Sequence, residues 1–61
     1  MPFVEIKTFA GKSFEMKSEM AREVTNALVK VIGCPLEDVE IVITEVPHEN
    51  WSKAGISYRR P

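Results

Sequence analysis

The chain has 61 residues, a formal net charge of −1, one cysteine and one histidine. A chain this short makes a single domain, residues 1–61, with marginal burial, and needs a disulfide, a metal or oligomerisation for stability. Cys34 alone cannot close an internal disulfide. With His48 the only histidine, a full set of zinc ligands is not available, so no metal is expected. Oligomerisation is what remains.

The charge balance offers no basic stripe for nucleic acid, and Arg59-Arg60 is the only adjacent basic pair. No apolar run approaches the roughly 20 residues of a membrane span, and the start lacks the pattern of a signal peptide. A lone thiol fits a reducing compartment. These features lead to the expectation of a soluble, cytoplasmic protein.

Residues 3–9 alternate in polarity around Val4 and Ile6, as a half-buried strand should. Gly11 ends that pattern, Ser13 suits a helix N-cap, and Glu15 suits the first turn. Met16, Met20, Val24, Ala27, Leu28 and Val31 then follow a 3.6-residue period, predicting a helix with these residues as its core face. Gly33 signals the helix end, and Pro35 blocks continuation. Residues 39–46 are rich in β-branched side chains and stop at Pro47, predicting a second strand. The tail carries Asn50-Trp51 and Gly55, with room for a short hairpin before Ile56-Ser57-Tyr58.

Strand, helix, strand is a βαβ unit, whose strands run parallel. Two strands and one helix leave one sheet face and both edges uncovered. Partner copies must cover them, so an α+β subunit working as a symmetric oligomer is expected.

Pro2 follows the initiator methionine, a context that permits removal of Met1 and exposes a secondary amine. An α-amino group has a pKa of about 7.7–8.0, and an apolar pocket with a neighbouring cation lowers it towards neutrality. Such an amine exchanges protons with carbon acids. Taken alone, proline here also marks ordinary processing.

The Met-Pro-Phe-Val-Glu-Ile-Lys opening, Gly11-Lys12-Ser13, Arg22-Glu23-Val24 and Cys34-Pro35-Leu36 recur in order with Val39-Glu40-Ile41-Val42-Ile43-Thr44-Glu45. With Glu49-Asn50-Trp51 and Gly55, they cover nearly the whole chain. In size and in these segments the sequence resembles the 4-oxalocrotonate tautomerase family. The resemblance implies a βαβ subunit that dimerises into a four-stranded sheet, with three dimers forming a homohexamer. It implies a cofactor-free isomerase in which the amino-terminal proline, matched by Pro2, moves a proton to turn an enol acid into an unsaturated ketone. Lys12 stands where the family has a carboxylate-binding arginine, and an ammonium there loses the bidentate fork. Trp51 matches the pocket aromatic.

Glu40 departs from the family pattern, because members acting on dicarboxylates carry a second arginine there. A carboxylate at that place repels a dianion and raises the proline's pKa if it faces the pocket. Arg59 or Arg60 of a neighbouring subunit is a candidate to pair with Glu40 or to hold substrate. A monoacid or neutral carbonyl compound would also escape the conflict.

Each of these residues also has an ordinary reading. Lys12 also fits a solvated turn, Trp51 an interface anchor, and Glu40 a surface ion pair. His48 is expected in solvent and Cys34 as a small buried apolar group. Two alternatives to tautomerisation stay open. In one, Pro2 as acid and Glu40 as water-activating base carry out hydration or dehalogenation. In the other, the chain is a non-catalytic oligomeric module.

Overall fold

The computed structural model describes residues 1–59. Arg60 and Pro61 therefore lie outside the described residues. Strand β1 (Phe3–Phe9) leads through the Gly11 turn into helix α1 (Phe14–Ile32), and β2 (Glu40–Val46) follows a single 3-10 turn at Leu36–Asp38. A second 3-10 turn at His48–Asn50 leads to a small hairpin, β3 (Ser52–Lys53) and β4 (Ile56–Ser57). β1 and β2 pair in parallel, from Phe3 opposite Glu40 to Phe9 opposite Val46. The expected strands, helix and tail hairpin are all present.

Local chemistry explains the boundaries. Ser13 caps α1 by accepting the N–H of Met16 at 3.1 Å, which satisfies one orphan donor of the first turn. Gly33 ends the helix in the left-handed region (φ 82°), a conformation costly for a residue with a Cβ, and donates to Val29 O at 2.9 Å.

Alternation along the strands sorts the two sheet faces. Val4, Ile6 and Thr8 with Ile41, Ile43 and Glu45 are the half-buried set under α1. On the helix, Lys17, Met20, Ala21, Val24 and Leu28 are the half-buried stripe that meets them. Three expected core positions, Met16, Ala27 and Val31, are corrected here; Ala27 is exposed because it is turned about 100° from the half-buried Leu28 that follows it. Met16 is 52 % exposed, because Lys17 is drawn inward by an ion pair to Glu45 and the preceding residue is turned about 100° away. Val31 is 82 % exposed in the last turn of a helix about 28 Å long, lying over a sheet about 23 Å long. Cys34 is half-buried and makes no disulfide.

Among the described residues none is fully buried. The molecule is a slab of 45 × 25 × 13 Å with a radius of gyration of 14.6 Å. A compact chain of this length would have about 10.5 Å. Its accessible surface is 4920 Å². A folded monomer of the same mass exposes about 4,000 Å², so the surplus of about 900 Å² matches one partner's share of a standard interface. Phe3, Phe14 and Ile56 stand among the exposed large apolar side chains. Two thin layers provide no complete core, and the physical consequence is a subunit that needs further cover.

Candidate functional site

Extended backbone decides where the chemistry-bearing residues go. Pro2 immediately precedes β1 and is half-buried. Glu40 begins β2 beside it, and its backbone N–H donates to Pro2 O at 3.1 Å. These two residues share one end of the sheet. The seven residues from Phe3 to Phe9 then carry the chain roughly 23 Å to the other end.

Lys12 and Trp51 gather at that far end around Phe9, and Arg59 follows Tyr58, which also meets Phe9. The Lys12 ammonium donates to Phe9 O at 3.2 Å. The Trp51 ring lies 4.8 Å from the Phe9 ring, tilted by 56°, and Tyr58 meets Phe9 edge-on at 5.4 Å. Arg59 is exposed, with its backbone N–H on Ser57 Oγ at 3.0 Å. The candidate residues therefore form two clusters at opposite ends of one subunit.

His48, expected in solvent, is exposed but also stacks on Phe9, with ring centroids 4.1 Å apart and planes 9° from parallel. Three rings on Phe9 pin the tail against the sheet face remote from α1. There Lys7, Val46, Asn50, Trp51 and Ser52 line an open cleft of about 360 Å³. Lys7 and Asn50 are not among the site residues expected from the sequence. Period-2 alternation does put Lys7 on the same face as Phe9, which is the available signal.

Charge on this face is partly compensated. The Glu5 carboxylate accepts the Thr44 hydroxyl at 3.0 Å and lies 3.4 Å from Lys7 Nζ. The Thr44 bond first, then Lys7, hold its pKa below the ordinary value. On the helix side, Glu45 accepts Lys17 Nζ at 2.8 Å and the backbone N–H groups of Gly11 and Lys12 at 3.0 Å each. Its pKa is also lowered, chiefly by the Lys17 bond and next by the Lys12 N–H.

Among the described residues, no group of three Asp, Glu, His or Cys side chains is placed to hold a metal. No helix is long and apolar enough to cross a membrane. One end holds Pro2, its nitrogen in peptide linkage to Met1, with the backbone of Glu40 beside it, and the other holds an ammonium beside an aromatic wall.

Comparison with known proteins places this arrangement. Residues 2–59 match the family model described as tautomerase enzyme. The 2-hydroxymuconate tautomerase of Comamonas testosteroni is 44 % identical over 57 residues, which cover 93 % of this chain and 90 % of that protein. A 4-oxalocrotonate tautomerase isozyme structure from Methylibium petroleiphilum superposes with a TM-score of 0.88 at 37 % identity, covering 93 % of this chain and 92 % of the other. A heterohexameric 4-oxalocrotonate tautomerase from Chloroflexus aurantiacus J-10-fl gives 0.89 at 36 % identity, covering 95 % and 94 %. The chain belongs to the tautomerase family and is an enzyme of the class that interconverts keto and enol forms.

Proposed function

We propose that the chain, once freed of Met1, ketonises a small unsaturated 2-hydroxy acid with Pro2 as the general acid/base. The Pro2 nitrogen accepts the enol hydroxyl proton, the enolate electron pair moves along the conjugated system, and the prolinium returns a proton to carbon. Lys12 holds the substrate carboxylate as a point charge. Trp51 walls the site and keeps water from the amine, which favours its neutral form. Arg59 and Arg60 are further candidates to hold a carboxylate or to pair with Glu40.

The observation that carries this reading is the separation of Pro2 from Lys12 and Trp51 along β1. Head-to-tail approach of two copies brings one copy's proline end to another's Lys12–Trp51 end, and it covers surface that one subunit leaves open. A homohexamer built as a trimer of dimers is the assembly we infer, in keeping with the heterohexameric neighbour. A cytoplasmic location goes with the reading.

The Comamonas testosteroni relative is named for 2-hydroxymuconate, a diacid. Glu40 beside Pro2 disfavours a second carboxylate at that end, so the proposed substrate is a monoacid enol. Ultraviolet assays of Met1-free protein against 2-hydroxymuconate and phenylenolpyruvate test it. Faster turnover of the monoacid supports the proposal, and inactivity towards every enol in a wider panel refutes it.

The contact between Glu40 and Pro2 also favours a second reading, in which the prolinium is the acid and Glu40 activates water for hydration or dehalogenation. Hydration lost in Glu40→Gln with ketonisation retained would establish that activity.

A further inference from the structure

Glu45 has no part in the mechanism above, yet it accepts more side-chain and backbone donors than any other carboxylate among the described residues. It projects from β2 towards α1. Its Oε2 accepts the consecutive N–H groups of Gly11 and Lys12, both at 3.0 Å, and its Oε1 accepts Lys17 Nζ at 2.8 Å. Gly11 is at φ 107°, a conformation that suits glycine and lets two successive amides converge on one oxygen. Lys12 is thus fixed twice, its main chain by Glu45 and its ammonium by Phe9 O.

We propose that Glu45, with Lys17, is a positioning residue that sets the Lys12 turn in place to receive the substrate carboxylate. The inference rests on Lys12 as the carboxylate-binding cation. A lysine has a flexible stem and no planar fork, so it is less pre-organised for a carboxylate than an arginine and has more freedom to lose on binding. Fixing the Lys12 backbone beforehand removes ordering entropy from the binding step. Lys17 occupies one oxygen of Glu45 and leaves the other for the turn. The substrate's uncharged body makes no use of this device, so its loss should be felt only by substrates that carry the carboxylate.

The test compares phenylenolpyruvate with its methyl ester in Met1-free wild type, Glu45→Gln, Lys12→Ala and the double variant. Glu45→Gln should raise KM for the acid about fivefold, with kcat changed by less than about twofold, and leave the ester's parameters unchanged. The double variant should be no worse than Lys12→Ala, because both changes act through one contact. A KM that rises equally for acid and ester, or an acid KM unmoved in Glu45→Gln while Lys12→Ala raises it, overturns the positioning role. An acid KM unmoved in Lys12→Ala overturns the reading of Lys12 itself, and the inference falls with it. If Glu45→Gln fails to assemble, Lys17→Met carries the same comparison, since it keeps the carboxylate but frees Oε1. It should then raise the acid's KM and not the ester's, and the opposite result again overturns the proposal.

Discussion

The backbone N–H of Glu40 donates to the carbonyl of Pro2 across 3.1 Å, which fixes a carboxylate-bearing residue beside the residue proposed as the base. This neighbour sets the expected substrate preference. Glu40→Arg replaces repulsion of a second carboxylate by attraction and adds a cation near the amine. It should raise kcat/KM for 2-hydroxymuconate by about tenfold or more, corresponding to roughly 1.4 kcal/mol, while changing phenylenolpyruvate much less. Equal changes for both substrates would remove Glu40 from the specificity argument.

Acid should weaken the subunit through Glu45 and Glu5, whose pKa values are held below the ordinary carboxylate value. Their contribution is complete above the unfolded carboxylate pKa of about 4.3 and is lost as pH falls through the lower folded-state values. Thermal melts of wild type and Glu45→Gln at neutral and acid pH check this. The gap between the two proteins should close in acid, and a gap that stays constant would contradict it.

Phe9 carries three rings, those of His48, Trp51 and Tyr58, and so fastens the tail to the sheet. Phe9→Ala should lower stability by about 2 kcal/mol. Trp51 is the only tryptophan, so its fluorescence reports the same event directly. A red-shifted emission is expected in the variant, and an unchanged spectrum with an unchanged denaturation midpoint would show that the cluster is incidental.

Assembly should be visible in stability as well. With no fully buried residue among those described, the proposed assembly would supply most of the apolar cover. The urea midpoint should therefore rise with protein concentration, as mass action requires when folding and association are coupled. A midpoint independent of concentration, together with a monomer in sedimentation, would contradict the account.

Much of the subunit is legible in its amino-acid sequence. Alternation around Val4 and Ile6, the Ser13 cap and Gly33 are local signals, and local signals survive in a chain with little tertiary packing. The start of the inward face of α1 is not legible, because Lys17 takes that place through its long-range ion pair with Glu45. Periodicity alone therefore puts Met16 in the core. The site is legible as a set of residue types but not as an arrangement. Pro2 and Lys12 are ten positions apart in sequence, and only the straight run of β1 turns that into opposite ends of the subunit. The stacking of His48 on Phe9 has no sequence signal, since it depends on where the turn after Pro47 falls.

The most direct test of the central claim compares ketonisation of phenylenolpyruvate by two preparations of the same chain, one with Met1 removed and one retaining it, each verified by intact mass. Only the first has a basic lone pair on the Pro2 nitrogen. The Met1-free protein should be faster by at least about a hundredfold, the lower end of what a general base contributes. Equal rates from the two preparations would show that Pro2 is not the base.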